Sequence, residues 1–331
     1  MKDPVVVAPA KLAALVRDLF TRQGMSEPHA ALVADALVWA EMRGLDTHGV
    51  MRAPRYVELM RKGDLNARPS IKRIVETAAT VVLDCDRAAG AVAMMEGMRA
   101  ACEKAKSAGI GLALVKSTTH TAALGYYTQT AARDGFAGIA LAASLPLMAY
   151  HGARAAGVST APLSIAVPGE EEPFALDMAS SMISMGALAQ ARRSGQSLPE
   201  GVVLTAQGEA TVDAKTASIP LPLGGPKGSG LGFMAECLAS LLTANPILAE
   251  SLEQTPASKR HRQNGLAIAI DVARFVAPEM FRAQVARLTR DLRELPGDEI
   301  LMPGERGSRR AAQQRDAVSI PDSVYDELKT L

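Results

Sequence analysis

Residues 110–143 read IGLALVKSTTHTAALGYYTQTAARDGFAGIALAA, and the fold class turns on this stretch. Ile110 to Val115 is a short apolar run of strand length. Residues 121–134 carry helical spacing and stop at Gly135. Residues 138–143, Gly-Ile-Ala-Leu-Ala-Ala, form a second strand. A strand–helix–strand rhythm argues for an α/β or α+β domain.

The pattern extends in both directions. Upstream, residues 90–108 form an Ala-rich helix that ends at Gly109, and residues 72–86 read as strands ending at a turn. Downstream, Ser164 to Val167 and Phe174 to Met178 are strand candidates. Residues 193–218 are polar, with Gly and Pro, and read as a surface excursion. An apolar helix follows at 229–243, an exposed charged segment at 247–263, a strand at 266–270 and a helix at 277–294. The tail carries a basic cluster of Arg306, Arg309, Arg310 and Arg315. Near the start, residues 9–24 and 27–43 have helical spacing. Ser26 and Pro28 mark the second helix start, and Gly44 marks its end.

Between these helices and the next, at 54–62, lies Gly44-Leu-Asp-Thr-His-Gly-Val-Met-Arg-Ala-Pro-Arg-Tyr56. It spaces His48, Arg52 and Tyr56 four residues apart, which puts them on one face if the segment is helical. Pro54 opposes an uninterrupted helix. A proton carrier beside a guanidinium fork suits a small carboxylate substrate.

Composition narrows the function classes. The 331 residues carry a net charge of +1, which gives no electrostatic case for nucleic acid or an anionic membrane surface. No apolar run of about 18 residues exists, so no membrane span is expected. The N-terminus shows no secretory apolar region. Cys85, Cys102 and Cys237 are three in number and lack CxxC spacing, which argues for reduced thiols in a cytoplasmic protein. There is no HxxxH, HExxH or GxSxG, so metal binding and serine hydrolysis are not expected.

No GxGxxG follows a strand, so the Rossmann fingerprint is missing. Gly224-Gly-Pro-Lys-Gly-Ser-Gly230 opens an apolar helix; it is either an anion-binding helix start or a Gly-rich turn. His120, in the turn Ser117-Thr-Thr-His-Thr-Ala-Ala123, is either a proton carrier or part of an N-cap cluster. His29 and His261 read as surface residues, and His151 as part of a site wall. Glu170 to Glu172 read as a solvated loop.

Six segments in order resemble one family. They are Leu45-Asp-Thr-His-Gly-Val-Met-Arg, Thr119-His-Thr-Ala-Ala-Leu-Gly-Tyr-Tyr, Ala143-Ser-Leu-Pro-Leu-Met, Leu176-Asp-Met-Ala-Ser-Ser, Leu221-Pro-Leu-Gly-Gly-Pro-Lys-Gly-Ser-Gly-Leu and Met302-Pro-Gly-Glu-Arg. They resemble the malate/L-lactate dehydrogenase family that lacks a Rossmann fold. That family includes ureidoglycolate and sulfolactate dehydrogenases and the Δ1-piperideine-2-carboxylate/Δ1-pyrroline-2-carboxylate reductases.

The resemblance implies an NAD(P)-binding domain over 71–274 built on a mostly antiparallel sheet. It implies a helical domain from both chain ends, 1–70 with 275–331, and a homodimer. The implied reaction moves a hydride between NADP or NAD and the α-carbon of a small carboxylate. His48, with Thr47 beside it, matches the proton carrier, and His120 a second active-site histidine. Arg52 matches the carboxylate grip. Tyr56 shares its motif, and Thr160 matches a substrate-side residue. Cofactor contacts fall on His120, Thr121, Ala122, Ala123, Leu124, Ser144, Asp177, Met178, Ala179, Lys227, Gly228, Gly304, Glu305 and Arg306.

Three departures stand out. Val158-Ser-Thr-Ala-Pro162 loses the family's Asn, Thr121 replaces an aromatic, and Ala187 stands where imine reductases carry the Asp that orients the catalytic histidine. Other stretches, including His151-Gly-Ala-Arg154, look most like the imine reductases. The sequence therefore favours reduction of a 2-imino or 2-oxo acid, leaning to the cyclic imino acids. A 2-hydroxy acid dehydrogenase is the alternative, and a non-catalytic nucleotide-binding dimer a third reading.

Overall fold

The computed structural model describes residues 4–253 and 260–331. The chain opens with strand β1 (Val5–Val7), α1 (Pro9–Arg22), α2 (Glu27–Met42) and α3 (Ala53–Arg61). Next come β2 (Lys72–Glu76), β3 (Thr80–Ala88), α4 (Gly90–Ala108), β4 (Ile110–Thr118), α5 (Gly125–Arg133) and β5 (Phe136–Ser144). The middle holds β6 (Met148–Ala149), β7 (Ala156–Val158), β8 (Leu163–Val167), β9 (Phe174–Met178), α6 (Met185–Ser194), β10 (Val203–Thr205) and β11 (Ala217–Pro220). The last part holds α7 (Pro226–Ala235), α8 (Leu248–Leu252), β12 (Gln263–Asp271), α9 (Pro278–Arg293), α10 (Glu305–Gln313), β13 (Val318–Ile320) and α11 (Asp322–Thr330).

Seven strands form one sheet in the order β2-β3-β4-β12-β5-β8-β9. Only β3 and β4 are parallel, joined by the crossover helix α4; every other pair is antiparallel. Parallel neighbours need such a crossover, whereas antiparallel ones do not. The Ala-rich composition of α4 has a packing cause. A Cβ on Gly97 would fall 2.6 Å from Val115, so the helix lies close against the sheet. Met94, Met98 and Ala101 are buried there with Val81, Leu83, Val115 and Ala267.

Both chain ends meet. β1 pairs with β13, from Val5↔Ile320 to Val7↔Val318. α1 buries Leu12, Val16, Leu19 and Phe20, one face of a helix, and packs against α2 and α11. α2 is apolar on nearly all sides and is a core helix. Two apolar surfaces stay open. Leu231, Phe233, Met234, Leu238, Leu241 and Leu242 are exposed along α7 and the turns after it, and α9 buries no residue.

Several expectations need correction. The helix expected over 121–134 begins at Gly125, because the preceding backbone is committed elsewhere: Thr119 N–H reaches Ala88 O, and Thr121 N–H reaches the Gln263 side chain. The excursion at 193–218 contains the β10–β11 hairpin. Val202, Val203, Ala214 and Ala217 pack with Leu188 in a small core of their own. The helix expected over 229–243 is α-helical only to Ala235, then widens into a π turn and a 3₁₀ turn. In the segment expected to be exposed, Ile247 and Leu248 are buried, and residues 254–259 lie outside the described ones. Ser26 precedes α2, but its hydroxyl makes no cap bond.

The first turn of α4 touches the His120 loop directly. A Cβ on Gly90 would sit 2.1 Å from the His120 carbonyl oxygen, a backbone atom that cannot step aside. Gly90→Ala should therefore cost about 2 kcal/mol of stability in urea unfolding. An unchanged unfolding midpoint would show that the loop yields freely.

Candidate active site

One edge of the sheet gathers the expected residues. Parallel pairing sets Ala88 beside Thr118, and antiparallel pairing sets Thr118 and Ser144 on either side of Gln263. Farther along the same edge, Leu163 at the start of β8 faces Met178 at the end of β9. The loops that leave this edge carry His120 to Leu124, Thr160 and Ala179, and the strand ends beside them carry Ser144, Asp177 and Met178. Loops at one sheet end are a usual place for a site, since a rigid scaffold positions them.

His48, Arg52 and Tyr56 do converge, but not on a helix face. Asp46–His48 and Val50–Arg52 are separate 3₁₀ turns, and extended backbone at Gly49 (φ −85°, ψ −158°) breaks the helix between them. Pro54 falls in the first turn of α3, where it is tolerated. The cause of the break is Glu41. Its Oε2 accepts the Val50 N–H at 2.9 Å and would lie 2.0 Å from a Cβ at position 49. Thr47 carries its Oγ1 3.1 Å from His48 Nδ1, accepts the Arg52 Nε–H on its carbonyl, and packs on Gly186 of α6.

The His48 and His120 rings face each other, 5.6 Å between centroids and inclined by 30°. Tyr56 Oη lies 2.7 Å from His120 Nδ1, which also accepts the Ala122 N–H at 3.3 Å. The Ala122 N–H favours the ring with its proton on Nε2, while the Tyr56 hydroxyl can either donate to Nδ1 or accept from it, so both neutral tautomers and the imidazolium keep a partner there. Burial lowers both imidazoles. His48 falls to about 4, helped by Arg52, and His120 falls well below the usual range, with Arg52, His48 and His261 adding to burial. Both rings are neutral at pH 7. The terminal nitrogens of Arg52 make no hydrogen bond among the described residues, so its fork is free for a ligand.

Asp177, near the end of β9, is exposed as a residue, while its Oδ2 packs on the start of α5 and accepts the Gly125 N–H at 2.7 Å. Burial raises its carboxyl to about 6, and the Gly125 bond opposes that. A Cβ on Gly125 would meet this oxygen at 2.9 Å and Trp39 at 3.3 Å, which explains a glycine at the helix start. Thr160 O accepts the Ser180 N–H at 2.8 Å, and Gly228 lies so close that a Cβ would reach Ser180 O at 2.3 Å. Ala179, Thr160, Lys227 and Gly228 are therefore neighbours through Ser180. Lys227 is exposed and makes no ion pair among the described residues.

The tail segment is anchored to β9. Ala175 N–H donates to Pro303 O, and Gly304 (φ +84°) presses on Ala175 O. Glu305 accepts the Met302 N–H at 2.9 Å and pairs with Arg293 and Arg309, which holds its carboxyl down at about 2. Its oxygens hold the turn itself, whereas Arg306 is exposed. Buried Ser159 Oγ and Ser180 Oγ have no hydrogen-bond partner among the described residues. Unpaired hydroxyls beside a free lysine and a close-approach glycine fit a polar, phosphate-bearing cofactor such as a nicotinamide dinucleotide. No group of side chains suited to a metal occurs among the described residues, and no helix there is long and apolar enough to cross a membrane.

Sequence reasoning missed two residues. Glu41 is 4% exposed in the last turn of α2, where a carboxylate opposes the helix dipole; that misplacement was its signal. His261, read as a surface residue, is half-buried, and its Nε2 is buried without a partner. His29 is also half-buried rather than on the surface. His151 is exposed over Gly225, with its N–H on Ser229 Oγ at 2.8 Å.

The family profile described as malate/L-lactate dehydrogenase matches residues 7–329. The L-sulfolactate dehydrogenase of Methanocaldococcus jannaschii is 31% identical, covering 99% of this chain and 96% of its own. The ureidoglycolate dehydrogenase (NAD(+)) of Escherichia coli is 32% identical over 95% and 92% of the two chains. The solved structure of Δ1-piperideine-2-carboxylate reductase from Pseudomonas syringae superposes with a TM-score of 0.89. It is 26% identical and covers 98% of this chain and 99% of its own.

Burial raises the Glu41 carboxyl to about 7; the Val50 N–H opposes the shift, Asp46 adds to it, and Arg310 opposes it. The folded state therefore holds a proton that the unfolded chain releases near 4.5, so stability falls as pH rises between those values. Glu41→Gln keeps an acceptor for Val50 without the charge. It should match the wild type near pH 5 and be more stable at pH 8 by on the order of 2 kcal/mol in urea unfolding. A variant less stable than the wild type at pH 8 would refute this account of Glu41.

Proposed function

Because the chain belongs to the malate/L-lactate dehydrogenase family, we propose that it interconverts a small 2-oxo acid and its 2-hydroxy acid with NAD or NADP. When bound, the nicotinamide supplies or accepts the hydride at the substrate's α-carbon. The observation that carries the proposal is the meeting of His120, His48 and the unspent Arg52 fork at one sheet edge. Arg52 holds the substrate carboxylate through two parallel hydrogen bonds. Thr160 borders the substrate on the β8 side. The loop from Thr121 to Leu124, with Ser144, Asp177 to Ala179, Lys227, Gly228, Gly304 and Arg306, borders the cofactor.

His120 is the proton carrier in this reading. Tyr56 and Ala122 orient its ring. As the imidazolium, with Nδ1–H turned to Tyr56 Oη, it gives its Nε2 proton to the growing alkoxide; in the reverse direction the neutral ring with its one proton on Nδ1 takes the hydroxyl proton at Nε2. His48, with Ala187 where an orienting carboxylate would be, acts as the second wall of the substrate space. The same observation weighs against the cyclic imino acids. An iminium cation beside Arg52 would need a nearby carboxylate, and none is bonded to either ring.

The chain functions as two parts, residues 1–70 with 275–331 and residues 71–274. The open apolar face from Leu231 to Leu242 packs on a second copy, since so large an exposed patch marks an interface.

Three outcomes test this reading. Arg52→Lys should lower kcat/KM about a hundred-fold, mainly through KM, because an ammonium cannot form the fork; wild-type kinetics would remove Arg52 from the carboxylate. His120→Asn should lose turnover while keeping cofactor affinity in a fluorescence titration; loss in His48→Asn with His120→Asn active would reverse the two roles. Because burial holds the free-enzyme imidazole well below its usual 6.5, log kcat/KM for reduction should fall with a slope of about −1 from about pH 6.5 to 8. Oxidation, which needs the neutral ring, should be flat there.

A further inference from the structure

His261 stands beside the reaction centre, and the chemistry above gives it no task. The chain around it is pinned on both sides. Arg260 donates from Nε to Asp64 Oδ1 and from Nη2 to Gly63 O, each at 2.8 Å, which ties it to the turn after α3. Arg262 donates to Glu250 at 2.6 Å, and Gln263 Oε1 accepts the N–H of Thr121, next to His120. His261 is thus fixed between the helix that carries Arg55 and Tyr56 and the loop that carries His120. Its Nε2 is buried and has no hydrogen-bond partner among the described residues. Arg55, which pairs with Glu58, and Arg52 both act on the ring, and the carboxylate that acts on it among the described residues, Asp64, is bonded to Arg260. His261 acts in turn on His120.

A buried polar atom without a partner at the wall of a binding site is a place for a ligand atom. Arg52 serves the first carboxylate and His120 the oxygen on the reacting carbon. We propose that His261 is a specificity residue that hydrogen-bonds a second anionic group on the substrate, so that 2-oxo dicarboxylates are preferred to 2-oxo monocarboxylates. The proposal rests on the hydride-transfer reading above. A second anion satisfies Nε2 and offsets the Arg52 charge that acts on the ring. A substrate ending in a methyl group leaves the ring desolvated and unpaired, which is how a polar site rejects an analogue.

The test compares kcat/KM for oxaloacetate and pyruvate, with NADH or NADPH, in the wild type, His261→Ala and His261→Asn. The wild type should prefer oxaloacetate. His261→Ala should lower the oxaloacetate-to-pyruvate ratio at least about ten-fold, mainly through KM for oxaloacetate, and His261→Asn, which keeps a donor, should recover part of it. A ratio within about two-fold of the wild type in His261→Ala, or a wild type with no preference, overturns the proposal. If the wild type reduces neither acid, the hydride-transfer reading fails. Calorimetric titration of the full chain with succinate and propionate then decides the role of His261. A succinate preference lost in His261→Ala upholds it; a preference that persists, or is missing from the wild type, overturns it.

Discussion

The insertion of β12 between β4 and β5 is the constraint on which the molecule depends. Its first residue, Gln263, aligns Thr118 on one side with Ser144 on the other, and its side chain holds the N–H of Thr121. Without that strand, the two halves of the sheet would not share an edge, and the His120 loop would have no anchor opposite Ala88. A residue late in the chain thus sets the register of loops that begin far upstream. It also places Arg262 and His261 beside those loops.

The electrostatics of the cluster follow from burial more than from pairing. Two imidazoles and a guanidinium share a poorly solvated space with no carboxylate bonded to the rings. Desolvation keeps the rings neutral, and the guanidinium keeps its charge. In the proposed reaction an arriving carboxylate would offset Arg52 and make a protonated imidazole easier to form, so that substrate binding would itself prepare the proton that reduction consumes.

Much of this was legible in the sequence because the signals were local. Gly44, Gly109 and Gly135 take positive φ where their helices end, and the Ala-rich run at 90–108 is a helix over its whole length. The six ordered motifs pointed to the family. What could not be read depended on contacts between distant parts. The break at Gly49 arises from Glu41 on another helix, the late start of α5 from Gln263, and the half-buried setting of His261 follows the tie of Arg260 to Gly63 and Asp64. Spacing suggested that His48, Arg52 and Tyr56 share a helix face; tertiary contacts bring them together by another route. The hairpin core around Val203 escaped notice because its apolar residues are few and set among polar ones.

The close fit of Glu41 under Gly49 has a consequence for how this protein can vary. Position 49 admits no side chain while a glutamate occupies position 41, and a carboxyl at 41 finds its acceptor role only while the backbone at 49 stays extended. A side chain at 49 therefore requires the Glu41 carboxyl to swing away and give up the Val50 N–H, and the turn that carries His48 shares that constraint.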